Sequence, residues 1–344
     1  MARAAGVASV AAVALLASVA DAARGAGLSA AAAGVAAVEA PTAAMIASGA
    51  GVAAVEAPTA VAPTPTAAMP DVSMGITSEA GLSSWLAAGG RGLDTAYIYP
   101  KADQVAVGDA IRSSGVPRSE LFVTTKVPCC PCLEHGLPWS KTSPELQLWC
   151  DLVYGRTTVA EGFAKDMERL GDIGGYVDLL LLHWPCRNDE ETLATWRGLE
   201  ALLDSGVAKR IGVSNAASSV VSMLLANATH KPSVNQCAYS IGNTRAHAEV
   251  GSDEATVALC AYNGVQYEAY SPLGGYSKVD VLSNPSVLKV AAAHNVSTAQ
   301  VALRWLTQQG IKAVTASDNP EHQKGDLALD FNLTDAEIAD LAKL

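Results

Sequence analysis

Eight short apolar, strand-like runs alternate with amphipathic, helix-like segments from about Met69 to the last residue, Leu344. The strand candidates are 72–76, 91–95, 120–126, 177–183, 208–214, 233–237, 265–270 and 312–316. The helix candidates are 79–88, 102–113, 159–171, 190–205, 217–226, 253–262 and 297–309, followed by 320–328 and 335–343. Continuous apolar runs that alternate with helices are the mark of a parallel sheet covered by its crossovers. Eight such units in roughly 275 residues match a closed (β/α)8 barrel, the TIM-barrel architecture. A doubly wound sheet is the competing arrangement, but no G-x-G-x-x-G follows any strand run. No Pro/Gly/Ser-rich linker divides the region, so residues 69–344 read as one domain.

Residues before Met69 have another character. They are Ala-rich, and only Arg3, Asp21, Arg24, Glu39 and Glu56 are charged. Val7 to Ala20 is an apolar run of signal-peptide length behind Arg3, and Ala20-Asp21-Ala22 supplies an A-x-A site. Residues 1–22 are therefore expected to be a signal peptide. Residues 23–68 are expected to be an Ala-rich linker or transit segment, in which Gly34–Ala43 recurs as Gly51–Ala60. Such a segment suggests the secretory pathway or a complex plastid; without it the barrel reads as cytoplasmic. The run is too short and too rich in alanine to span a bilayer, so no membrane span is expected in the mature protein. A net charge of −11 excludes non-specific nucleic-acid binding as a function. A monomer acting on a small molecule is expected.

In a barrel of this type, chemistry sits at the C-terminal ends of the strands. Polar residues recur there. Asp94 closes the second run, Lys126 the third and His183 the fourth; Ser214 and Asn215 close the fifth, Gln236 the sixth and Tyr270 the seventh. Tyr99 follows Asp94 by five residues. Hydride addition to a carbonyl leaves negative charge on oxygen, which a nearby proton donor removes. A tyrosine is protonated at neutral pH but is a reluctant donor, and a neighbouring ammonium strengthens it. Lys126 can play that part for Tyr99, Asp94 can hold Lys126, and His183 can orient the substrate oxygen. Taken singly each has a plainer reading: a turn cap for Asp94, a loop aromatic for Tyr99, a solvent-facing strand end for Lys126, a packing histidine for His183.

With these motifs the chain resembles an aldo-keto reductase. The matching segments are Asp94-Thr95-Ala96 with Tyr99, Thr125-Lys126, Leu182-His183-Trp184-Pro185, Ile211–Asn215, Ala269–Gly274 and Gln300–Trp305. The resemblance implies NAD(P)H-dependent reduction of aldehydes or ketones, with Asp94, Tyr99, Lys126 and His183 as a catalytic tetrad. It implies that Ser214, Asn215 and Gln236 hold the nicotinamide carboxamide, that Tyr270 stacks on the ring, that Ser271, Leu273 and Ser317 contribute to cofactor binding, and that Trp184 lines the substrate site. A catalytically weak nucleotide-binding regulatory protein on the same barrel is the alternative, distinguished by aldehyde turnover.

The chain departs from the family pattern at the eighth strand end. The usual Lys and Arg that hold an adenosine 2'-phosphate are replaced by Ala316 and His322, and Asp326 stands nearby in sequence. NADPH and NADH are both candidate cofactors. The segment from Val127 to about Thr158 is long and carries Cys129, Cys130, Cys132, His135, Trp139, Trp149 and Cys150. It reads as a substrate lid with a disulfide or free thiols; adjacent Cys129 and Cys130 are poor chelators, so no metal is assigned. Cys186, Cys237 and Cys260 read as buried thiols. The sequence stops after its last helix, which suggests a site more open than in relatives with a C-terminal loop.

Overall fold

The computed structural model describes residues 67–129, 158–243 and 248–344. The signal-peptide and linker readings, and the readings of Cys130, Cys132, His135, Trp139, Trp149 and Cys150, lie outside these residues. Eight parallel strands close into a barrel in sequence order: β1 Val72–Met74, β2 Gly92–Asp94, β3 Phe122–Val127, β4 Leu179–Leu182, β5 Ile211–Ser214, β6 Val234–Ala238, β7 Gln266–Tyr270 and β8 Lys312–Thr315. β8 returns to β1 through Ser73 opposite Val314. The expected architecture is the one found; six strands lie inside their predicted runs, and β3 and β6 extend one residue beyond theirs, to Val127 and Ala238.

Ten α-helices are present among the described residues: α1 Glu79–Ala87, α2 Lys101–Ser113, α3 Val159–Leu170, α4 Asp189–Asp204, α5 Ser218–Asn227, α6 Glu254–Tyr262, α7 Pro285–His294, α8 Thr298–Thr307, α9 Pro320–Leu327 and α10 Asp335–Leu341. Helix α7 was not among the sequence-derived candidates. Its signals were an Asn284 cap that accepts the Ser286 N–H and a proline at the first helical position. Half of its aliphatic residues are alanines, so its periodicity is faint. Helices α3, α8 and α10 open on capping boxes, Thr158 with Glu161, Ser297 with Gln300 and Thr334 with Glu337. Each box satisfies two N–H groups that a helix start otherwise leaves bare.

Period-two alternation separates the two faces of every strand. Leu179 and Leu181 of β4 pack with Phe122 and Val234 in a small cluster, against which Ala67 and Met69 also lie. Leu180 and Leu182 join the larger cluster that includes side chains of the surrounding helices. The inward set is therefore Phe122, Thr124 and Lys126 on β3, Leu179 and Leu181 on β4, then His183 beyond it. The interior is apolar toward the strand N-termini and polar toward the C-termini. Gly212 belongs to this inner face, where a Cβ would lie 2.7 Å from Leu181 Cδ2 and 2.6 Å from the Val234 carbonyl oxygen. Asp178, just before β4, accepts the Val123 N–H at 3.0 Å and pairs with Arg118 at 2.8 Å. That contact sets β3 against β4 below the site.

One expectation is corrected. Cys186 is not a thiol: it forms a disulfide with Cys129, with a Cα–Cα distance of 5.4 Å. Cys129 lies three residues past Lys126 and Cys186 three past His183, and their strands are paired neighbours with Lys126 opposite Leu181. Parallel pairing brings the two ends together, although 57 positions of sequence separate them. Cys237 and Cys260 are free and buried.

Candidate active site

The site grows from the ends of β2, β3 and β4. Asp94 is the last residue of β2 and Lys126 the fifth of the six in β3. Lys126 Nζ donates to Asp94 Oδ1 at 2.5 Å and to the Thr95 carbonyl at 3.0 Å. The ammonium is 1 % exposed and the carboxylate 5 %. A buried ammonium is costly unless paired. Burial is the largest single effect and works against the charge of Lys126, but Asp94, Tyr99 and Glu268 together outweigh it and hold the pKa above the ordinary value.

Tyr99 stands over this pair, its ring centre 5.5 Å from Lys126 Nζ. The turn that carries it is fixed by Gln104 of α2, whose amide nitrogen donates to the carbonyls of Ala96, Tyr97 and Tyr99. Burial raises the phenol pKa, Lys126 pulls it down and Asp94 pushes it up. The net shift is upward, so here burial outweighs the acidifying pull expected of Lys126. The consequence is a phenol that keeps its proton at neutral pH.

His183 follows β4 and meets Tyr99 edge to face, with ring centres 5.8 Å apart. Burial, and then Lys126, depress its pKa well below 6.5. The ring is therefore neutral and carries one N–H. Its Nδ1 is buried without a protein partner among the described residues. Trp184 lies against it, tilted, at 4.8 Å. The four proposed tetrad residues are thus brought together at one end of the barrel.

The next strands supply a second group. Ser214 Oγ donates to the Gln236 carbonyl at 2.7 Å. Asn215 has a left-handed φ of 57° and donates to the His183 carbonyl at 3.0 Å, while its Oδ1 accepts from Tyr270 Oη at 2.9 Å. Ser271 also has a left-handed φ, of 54°. Non-glycine residues held this way cluster at functional sites. Tyr270 is half-buried and meets Tyr276 edge to face at 5.9 Å. Leu273 is half-buried in the same loop. A flat aromatic, two amides and a hydroxyl at adjoining strand ends suit a nicotinamide ring and its carboxamide.

Ser317, at the eighth strand end, lies beside His322, with Oγ to Nδ1 at 3.4 Å. Ala316 is exposed. Asp326 is 3 % exposed. Burial lifts its pKa to about 6, against the opposing effects of His322 and a hydrogen bond with Thr315. It turns into the protein against Thr315 rather than out toward solvent. Lys324 is paired with Glu321 and Lys312 with Asp71.

Residues the sequence reading missed include Asp318, which accepts from the Thr77 hydroxyl and from Ser78 N at 2.9 Å and Oγ at 2.5 Å. Glu268 of β7, 1 % exposed, accepts from Gln236 Nε2 at 2.7 Å. A charged residue two positions before Tyr270 in a buried strand was the available signal for Glu268. Among the described residues no group of three His, Cys, Asp or Glu could hold a metal ion, and no helix is long and apolar enough to cross a membrane.

The sequence profile of the Aldo/keto reductase family matches residues 77–344. Morphine 6-dehydrogenase of Pseudomonas putida is 33 % identical over 296 residues, covering 80 % of this chain and 88 % of that protein. Glyoxal reductase of Bacillus subtilis is 35 % identical over 229 residues, covering 67 % of this chain and 69 % of that protein. Among solved structures, an aldo-keto reductase from a Medee basin deep-sea metagenome library superposes with a TM-score of 0.65 at 30 % identity, covering 80 % of this chain and 91 % of that one. A structure of an aldo-keto reductase complexed with NADPH superposes with a TM-score of 0.63 at 26 % identity, covering 80 % and 84 %.

Proposed function

The chain belongs to the aldo/keto reductase family and is an NAD(P)H-dependent carbonyl reductase, and on that premise we propose that Tyr99 delivers the proton to the carbonyl oxygen. The observation that carries this is the buried Lys126–Asp94 pair beneath Tyr99. The bound nicotinamide cofactor supplies the hydride. Tyr99 keeps its proton at neutral pH and releases it as negative charge forms on the substrate oxygen. Lys126 stabilises the resulting phenolate at short range in a dry setting. Asp94 keeps Lys126 charged and in place. Neutral His183 offers its single N–H to the same oxygen and orients it. Trp184, packed on His183, is assigned to the substrate side.

For the cofactor, Ser214, Asn215 and Gln236 are assigned to the carboxamide, Tyr270 to the ring face, and Ser271, Leu273 and Ser317 to the phosphate path. At the 2'-phosphate position Ala316 brings no charge and His322 at most one. Lys312 and Lys324 are engaged by carboxylates, which supports weak discrimination between NADPH and NADH.

The test is the fall in nicotinamide absorbance with a reactive aldehyde such as nitrobenzaldehyde, run with each cofactor. Turnover is expected with both. NADPH binding seen as fluorescence quenching, without turnover of any aldehyde, would overturn the assignment of Tyr99 as a working acid.

A further inference from the structure

Gln236 is held by two carboxylates at once. Its Nε2 donates to Asp94 Oδ2 at 2.9 Å and to Glu268 Oε2 at 2.7 Å. Both amide hydrogens are therefore used, and the amide oxygen is the one polar atom of the side chain left for a ligand. Turning the amide over would set its oxygen against two carboxylate oxygens at less than 3 Å.

The two clamps are not equivalent. Asp94 is neutralised by Lys126 at 2.5 Å. Glu268 stands in no ion pair among the described residues, although it is 1 % exposed at the centre of β7. Register places it directly across from Gln236, so the contact is built into the β6–β7 pairing. A buried carboxylate without a cation is costly to keep, and none is needed to close the barrel. Among the described residues the one side-chain hydrogen bond of Glu268 is with the amide of Gln236.

We propose that Glu268 is a positioning residue that fixes the Gln236 amide with its carbonyl oxygen toward the N–H of the cofactor's carboxamide. The proposal rests on the assignment of Gln236 to the carboxamide. Either protonation state of Glu268 can serve, because both keep an acceptor oxygen. Burial and the nearby Asp94 push its pKa up to about 7, so it is present in both forms near neutrality. The carboxamide donates its N–H to Gln236, and the ring is thereby set at a fixed rotation over the site. The role is one of ring placement; Glu268 itself touches neither cofactor nor substrate.

The test compares binding of NADP+ with that of its 3-acetylpyridine analogue, which keeps the carbonyl but has no N–H to donate. Affinity is read by tryptophan quenching, not by turnover. The wild-type protein is expected to bind NADP+ about five- to tenfold more tightly than the analogue, the worth of one hydrogen bond. Glu268→Gln and Glu268→Met should lose most of that discrimination, Met more than Gln. Adenosine 2'-phosphate diphosphoribose, which has no nicotinamide, should bind all variants alike, showing that the rest of the groove is intact. Gln236→Leu should lose the discrimination too, and adding Glu268→Gln to it should change nothing further.

If Gln236→Leu loses discrimination while Glu268→Gln and Glu268→Met keep it, the reading of Gln236 stands and the role of Glu268 is overturned. If Gln236→Leu keeps it, both are overturned. Should neither Glu268 variant fold, the wild-type arm decides: equal binding of NADP+ and the analogue overturns the proposed carbonyl orientation, and preference for NADP+ supports it.

Discussion

Lys126 Nζ lies 2.5 Å from Asp94 Oδ1, and both groups are almost wholly removed from solvent. Removing one partner of such a pair leaves the other charge buried and alone, at a cost of about 3–5 kcal/mol. Asp94→Leu and Lys126→Met should therefore each destabilise the barrel strongly. The double variant should recover much of that loss while staying inactive. Chemical denaturation of the four proteins measures the coupling, and purely additive losses would mean the pair is not the unit described.

Tyr99→Phe should keep cofactor affinity and lose turnover by about 10²–10⁴-fold, the worth of a positioned acid. Single-turnover kinetics with a reactive aldehyde check this. Retention of more than about a tenth of the wild-type rate would remove Tyr99 from the role.

Cofactor choice is expected to be loose. One missing charged hydrogen bond is worth about 1.5–3 kcal/mol, so the preference for NADPH should lie within ~100-fold. Ala316→Lys combined with His322→Arg should tighten NADPH and leave NADH nearly unchanged. Titrations with both cofactors would contradict this if the wild type already favoured NADPH by more than about a thousandfold.

Stability should rise as pH falls from 8 to 6. Burial lifts Asp166 to about 7, Glu268 to about 7 and Asp326 to about 6, all well above free carboxylates. The folded state then binds these protons and the unfolded state does not, so stability is lost as pH rises through the folded values. His183 opposes this, since it is depressed and the unfolded state takes its proton near 6.5. Three groups against one give a net gain on the order of 1–2 kcal/mol. Thermal melts should show it, and Asp166→Asn should flatten the trend. A melting temperature that falls steadily over this range would refute the assignment.

The Cys129–Cys186 bridge joins positions 57 apart in sequence. By loop-closure entropy its loss should cost about 4 kcal/mol. Mass spectrometry after alkylation should find Cys186 protected until a reductant is added, with a lower denaturation midpoint afterward.

The strand ends made much of this site legible. Each polar residue that closes an apolar run had to emerge at the catalytic rim once eight such runs formed one barrel, because parallel strands share a direction. That logic covered Asp94, Lys126, His183, Ser214, Gln236 and Tyr270 as positions, and Tyr99 by its offset from Asp94. Local patterns could not say which residues touch. The Cys129–Cys186 pairing came from the alignment of β3 with β4, and sequence distance concealed it. The clamp on Gln236 came from three strands, β2, β6 and β7, converging across the barrel interior; no single segment carries it. The pKa of Tyr99 shows the division most clearly. The downward pull of Lys126 could be inferred from sequence and its sign was right, but the depth of burial, a property of the whole packed interior, decided the net direction.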